Sequence, residues 1–217
     1  MTGRMIVPMV CVVAFTLTAC GSGTTNSGTT TTPAASSTTV GTSASGQTTG
    51  GVALSVALPP WPIPTDATPN IAVAGLRAQS GETLQFHYHA HLDIMDSTQP
   101  VVVPAGIGFV IQNGQEVALT SLHTHDTTGI VHIESATNVP FTLGQVFTEW
   151  GVRLTSTQVG GLIAGNGNAI HVAVNGSTFV GDPASIVLSP HQEIAIWYGP
   201  QATTPHLPSS YSFPQGD

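Results

Sequence analysis

From Leu84 to Ile94 the chain alternates, residue by residue, between two chemistries. Leu84, Phe86, Tyr88, Ala90, Leu92 and Ile94 form one set, and Gln85, His87, His89, His91 and Asp93 the other. A helix would scatter both sets around its circumference, whereas a strand places residues two apart on one face. The stretch therefore predicts a strand with one buried apolar face and a second face dominated by histidine. Further histidines follow in Leu122-His123-Thr124-His125-Asp126 and His132-Ile133-Glu134. Six of the nine histidines lie in these runs, although Asp, Glu, Lys and Arg together make up only 6% of the chain.

Spacing decides how such histidines can act together. Residues two apart on a strand face are separated by about 6.6 Å, near enough for two imidazoles to turn toward one ion, while His87 and His91 stand roughly 13 Å apart. Zinc and copper bind imidazole nitrogen at about 2.0–2.1 Å, so three histidines in a row along one strand do not readily share an ion. One adjacent pair completed from elsewhere is the economical arrangement. His123 and His125 repeat the two-residue spacing just before a Thr-Thr-Gly turn, where loop geometry can aim side chains. His132 and Glu134 share a face of a further predicted strand.

The expected metal ligands are therefore His87, His89, His91, His123, His125 and His132. Asp93 and Asp126 are expected to fix imidazole tautomers from behind, Asp126 being also a possible ligand. Glu134 and Asp126 are candidate proton-transfer groups. His171, on the polar face of a later strand, is weighed as an additional ligand, while His191 in a turn and His206 in the tail are expected to be incidental. The competing reading is a polar face whose histidines bond only to backbone or to Asp. Six of them in paired motifs weigh against it.

The remaining patterns predict a single α+β domain over 71–199: a mostly antiparallel or mixed sheet with one main helix. Ile71–Leu76 reads as a turn or two of helix. Val101–Val103 follows the Asp96-Ser97 turn and ends at Pro104. Asn113-Gly114 joins Ile107–Ile111 to Val117–Leu119 as a tight hairpin, because Asn-Gly suits a type I′ turn. Ile130–Ser135 is a short strand. Leu143, Val146, Phe147 and Trp150 recur at helical spacing, with Thr142 as N-cap and Gly151 as the stop. Ile170–Val174 and Ser177–Val180 flank a second Asn-Gly turn, Ile194–Tyr198 is the last strand, and 200–217 is an irregular tail.

Two resemblances extend this reading. Leu122-His123-Thr124-His125-Asp126-Thr127-Thr128-Gly129-Ile130-Val131-His132-Ile133-Glu134-Ser135, then Phe141-Thr142-Leu143-Gly144-Gln145 and Glu149-Trp150-Gly151, resembles a family of uncharacterised secreted or membrane-tethered prokaryotic proteins. That family also carries the His-x-His-x-His-Leu-x-Ile stretch found at His87 to Ile94 and the Val103-Pro104-Ala105-Gly106-Ile107-Gly108 loop. The resemblance spans most of residues 84–199 and implies a location, not an activity. The Val174-Asn175-Gly176 hairpin and the Glu193-Ile194-Ala195-Ile196 strand resemble the end of β-grasp domains of ubiquitin-like sulfur carriers. Those carriers finish in Gly-Gly and this chain in Phe213-Pro214-Gln215-Gly216-Asp217, so the likeness concerns shape and not chemistry.

Other motif likenesses are weaker. Leu122-His123-Thr124-His125 resembles the opening of polymerase-and-histidinol-phosphatase-type phosphoesterases, and His-x-His also opens amidohydrolases, but both are barrels of repeated strand-helix units. Gly81, His87 and His89 match a cupin opening, with Asp93 where Glu is expected and Pro100 in place of the later glycine.

The N-terminal region bounds location and redox chemistry. Arg4 followed by the apolar run Met5–Leu17 reads as an export signal over 1–19, too short to span a bilayer. Leu17-Thr18-Ala19-Cys20 looks like a bacterial lipobox, which implies lipidation of Cys20 and anchoring to the extracytoplasmic side of the cell membrane. Residues 20–51 are expected to be a disordered Ser/Thr/Gly tether, about 31 residues after the cysteine spanning roughly 30 Å. A Pro-rich extended lead-in occupies 52–70. With Cys11 removed and Cys20 lipidated, no thiol remains, so blue-copper and iron-sulfur sites are excluded and ligands must be nitrogen and oxygen.

Charge and ligand chemistry then narrow the function classes. Three Arg and no Lys against eleven carboxylates, net −8, exclude nucleic-acid binding, because nothing neutralises phosphate. Imidazole with carboxylate support suits a divalent ion, zinc or copper(II) above all. The leading expectation is a tethered metal-binding module that captures or buffers the ion or is stabilised by it. A metal-dependent hydrolase or oxidoreductase on the same histidines is the alternative, and a metal-free interaction module the third. Beyond the membrane, no partner is specified.

Overall fold

The computed structural model describes residues 47–49 and 51–215, all within one compact unit spanning 42–217. The export signal, Cys20, the tether as far as residue 46 and the last two residues lie outside the described residues. Among the described residues no helix is long and apolar enough to cross a membrane.

The predicted tether and lead-in need correction where they meet the domain. Strand β1 (Gln47–Thr49) pairs antiparallel with β2 (Val52–Leu54), so the last residues assigned to the tether already carry backbone ladder bonds. Helix α1 (Thr68–Val73) starts within the stretch expected to be extended. Trp61, in the midst of the prolines, is 3% exposed. Its ring meets Trp150 edge-on at 5.7 Å, and the Trp150 indole N–H donates to its carbonyl at 2.9 Å. Proline content says nothing about whether the side chains between the prolines reach a core. Residues 52–70 belong to the folded domain.

Most strands assemble into one mixed sheet. In chain order come β3 (Phe86–Asp96), β4 (Gln99–Val101), β5 (Phe109–Gln112), β6 (Gln115–Leu119), β7 (Leu122–His123) and β8 (Ile130–Ser135). Helix α2 (Leu143–Trp150) and the short strands β9 (Leu154–Thr155), β10 (Gln158–Val159) and β11 (Leu162–Ile163) follow. Then come β12 (Asn168–Val174), β13 (Ser177–Thr178) and β14 (Gln192–Pro200). The main sheet runs β13-β12-β14-β3-β8-β7, with β4 paired to β3. β3 and β14 are parallel, and the pairs on either side of them are antiparallel. Counting only β3, β8, β12, β13 and β14, the spatial order is 2-1-5-3-4 with the main helix between the second and third strands. That is the β-grasp arrangement of one α+β domain, mostly sheet with one main helix.

The apolar face of this sheet is closed by α2. Thr142 caps the helix, its side chain accepting from the Gln145 N–H while Gln145 reaches back to the Thr142 N–H, and Gly151 ends it in the left-handed conformation. Leu143, Val146, Phe147 and Trp150 thereby share one face and pack with Ala90, Leu92, Ile94, Val131, Ile133, Ile194 and Ile196 in the main core. Both Asn-Gly turns form as expected, with Asn113 at φ 52 and Asn175 at φ 50. The opposite face of β3, from which the odd-numbered residues project, is the histidine face.

Candidate metal centre

Register brings the histidines together. His89 on β3 stands opposite His132 on β8, and His132 stands opposite His123 on β7. Adjacent strands lie about 4.8 Å apart, so these three form one rung across the sheet. The neighbouring rung pairs His87 with Glu134. His125 lies two residues beyond His123, where the chain leaves β7 and bends back toward β8.

The side chains converge on each other. His89 Nε2 lies 2.9 Å from His87 Nε2 and 2.9 Å from His132 Nδ1. His123 Nε2 lies 3.2 Å from His125 Nε2. Oxygen Oε1 of Glu134 stands 3.4 Å from His87 Nε2 and 3.8 Å from both His123 Nε2 and His132 Nδ1. Donor atoms of His87, His89 and His132, and again of His123, His125 and His132, all fall within 4.8 Å of one another. Nitrogens bound to one ion at about 2.0–2.1 Å sit roughly 2.9–3.4 Å apart at angles between square and tetrahedral.

Backbone contacts hold this geometry. The His123 Nδ1–H donates to the Thr120 carbonyl at 3.0 Å, which fixes the tautomer and leaves the Nε2 lone pair facing His125. Thr124, between the two histidines, donates from Oγ1 to the Pro104 carbonyl at 2.7 Å and accepts from the Ile107 N–H at 3.1 Å. The loop it holds passes so close to β7 that a Cβ on Gly108 would stand 2.0 Å from the Leu122 carbonyl oxygen. Directly after the loop, Phe109 sets its ring edge-on to His123 and His125 at 5.5 and 5.6 Å. This wall excludes water from one side of the cluster.

Burial sets the charge state. His123 is lowered to about 4, chiefly by burial, with the neighbouring imidazoles adding to it and the Thr120 bond opposing. Burial, then the histidines around it, lowers His132 to about 3. Both imidazoles are neutral at pH 7 and keep the lone pairs a metal needs. Glu134 is 2% exposed; burial, and then the charge of Glu82, pushes its carboxyl up to about 7.

Other expected site residues stand elsewhere. His91 is not part of the cluster: its Nε2–H donates to the Thr128 carbonyl at 2.8 Å and its Nδ1 lies 2.8 Å from Glu193 Oε2. Burial alone would lower His91, but its bonds to Glu193 and Thr128 outweigh that and raise it. Donor atoms of His91, Asp93 and Glu193 fall within 4.8 Å of one another. Both nitrogens of His91 are already engaged, Nε2 by the Thr128 carbonyl and Nδ1 by the Glu193 carboxyl. Asp93 stands 3.8 Å from His91 Nδ1, beside this pair and not behind the cluster. Asp126 accepts from the N–H and hydroxyl of Thr128 in an exposed turn. His171 lies on β12, two strands from β3, its ring 5.1 Å from that of Trp197. His191 packs against Phe213.

Two carboxylates and the tail escaped the sequence reading. Glu82 Oε1 lies 3.5 Å from His125 Nε2; its signal was a carboxylate just before a histidine strand in a chain with few charges. Glu193 is 0% exposed within an apolar strand, and its alternation with Ile194 and Ile196 put it on the histidine face. The tail, though irregular, returns to that face at His91, on which Tyr211 stacks at 3.7 Å.

The described residues thus hold groups of His and Glu close enough to bind a metal ion. No family model, no curated protein and no solved structure matches the chain.

Proposed function

We propose that this chain is an extracytoplasmic, lipid-anchored metal-binding module that takes up a divalent ion, zinc or copper(II), at His87, His89, His123, His125 and His132. The observation that carries the reading is the convergence of five imidazoles from adjacent segments, with nitrogens 2.9 to 3.2 Å apart around a buried carboxylate. Neutral imidazoles packed this closely repel through their lone pairs unless a proton or a cation lies between them. An ion resolves this for every nitrogen at once. The nitrogen and oxygen donor set favours zinc or copper(II) over the soft ions that need sulfur. The Leu17-Thr18-Ala19-Cys20 motif supports the proposed location.

Elemental analysis of the purified full chain, beside His89→Ala and His123→Ala, tests this. Stoichiometric metal in the parent and its loss in both variants is the expected result. A parent that stays metal-free after incubation with zinc or copper(II) overturns it.

Catalysis at the same ion is a second reading, favoured by one observation. A groove of about 500 Å³ lined by His87, Tyr88, His89, Pro190 and His191 opens beside the cluster, giving water or a substrate access to it. Glu134 is the proton carrier in that case. Hydrolysis of model esters that survives chelation of the metal would remove this reading.

A further inference from the structure

The cluster holds more donors than one ion uses. A tetrahedral site takes four. Around the five histidines stand Glu134 and Glu82, and the donors divide into two sets. His87, His89 and His132 form one. His123 and His125 anchor the other, in which Glu82 Oε1 lies 3.5 Å from His125 Nε2 and groups with His123 and Glu134 as well. His132 belongs to triads on both sides. Its Nδ1, however, is turned to His89 at 2.9 Å, and one nitrogen lone pair serves one ion. The second set therefore takes its third ligand from a carboxylate, and Glu82 is in place to supply it.

Glu134 stands between the sets. Its Oε1 is 3.4 Å from His87 Nε2 on one side and 3.8 Å from His123 Nε2 on the other. The residue is 2% exposed, and its Oε2 is buried without a hydrogen-bond partner. A buried, half-satisfied carboxylate is costly in a protein interior. A carboxylate that bridges two cations has its charge neutralised, and Oε1 is the oxygen that faces both sets.

From this, and resting on the metal-binding reading above, we infer that the cluster is a dinuclear centre. One divalent ion is held by His87, His89 and His132, a second by His123, His125 and Glu82, and the Glu134 carboxylate bridges them. Bridged ions of this kind stand about 3.5–4 Å apart, near enough to couple magnetically.

Copper(II) titration of the full chain, after removal of bound metal with a chelator, tests the inference. Bound copper is counted by elemental analysis and coupling is read by electron paramagnetic resonance. Two coppers per chain, with the signal diminished by coupling, is the expected result. The Glu82→Ala/His125→Ala double variant should bind one copper and show an ordinary uncoupled spectrum. Both side chains are more than 40% exposed, so the fold does not depend on them. Glu134→Gln should abolish the coupling. One copper per chain in the parent overturns the dinuclear centre and leaves the metal-binding reading standing, whereas no copper overturns both. Two uncoupled coppers, or a double variant that still binds two, removes the bridge and the ligand assignment.

Discussion

At the centre of β3 the two faces are buried to the same degree and held together by different physics. Ala90, Leu92 and Ile94 are 1–2% exposed on the face toward α2, and His89 and His91 are 2% and 3% exposed on the other. On the apolar face burial is itself favourable, and closeness of packing sets its strength. On the histidine face burial is unfavourable until every nitrogen and carboxylate has a partner. The partners differ along the strand. His91 finds a carbonyl and a carboxylate within the protein, while His87 and His89 find chiefly other imidazoles. In the first arrangement both nitrogens of the imidazole are satisfied within the protein, and in the second several imidazole nitrogens stand close enough together to hold a metal ion. Burial alone therefore does not tell these two kinds of histidine apart, but the identity of their partners does.

Four measurements can break or sharpen this contrast. The largest effect is expected from Trp150→Ala on the apolar side, where a 1%-exposed indole packs on Trp61 and Phe147. Its removal should cost about 3–5 kcal/mol in denaturant unfolding. Added zinc should not restore the difference between variant and parent. If it did, the two faces would not be energetically separate.

On the histidine side, zinc at a hundredfold excess over its dissociation constant should stabilise the parent by about 2.7 kcal/mol. His89→Ala should lose most of that gain, as read from thermal melts with and without zinc. An undiminished gain would show that the ion is held elsewhere.

Glu149 is a polar group on the wrong side of the contrast, 0% exposed on α2. Burial pushes its carboxyl well above 4.5. The folded state keeps this proton while the unfolded chain releases it, so Glu149 favours folding least at high pH: stability present at pH 4.5 is lost as pH rises. Glu149→Gln should therefore raise the melting temperature at pH 8 more than at pH 4.5. Equal shifts at the two pH values would contradict a buried neutral acid.

The smallest effect is expected from His171→Ala. With its ring against Trp197 and no place in the cluster, this variant should leave bound metal unchanged by elemental analysis. A loss of metal would mean that the histidine face works as one unit across the sheet.

Local patterns in the chain determined much of this protein. Period two over Leu84–Ile94 determined which side chains of β3 share a face, because alternation is a property of the extended backbone alone. The Thr142 cap, the Gly151 stop and the two Asn-Gly turns were legible for the same reason, since each is decided within a few residues. The spacing argument along β3 also separated an adjacent pair from the third histidine, although it did not say which one would stand apart.

The tertiary structure decided the rest. Only the register of β3, β8 and β7 puts His89, His132 and His123 in one rung. The parallel pairing of β3 with β14 set Glu193 opposite His91 and so removed that histidine from the cluster. The turn before β3 brought Glu82 to His125, and the core drew in Trp61 from a stretch that reads as an extended lead-in. These contacts join residues far apart in the chain or across a turn. Their energies depend on which surfaces meet, and no periodicity within one segment encodes that.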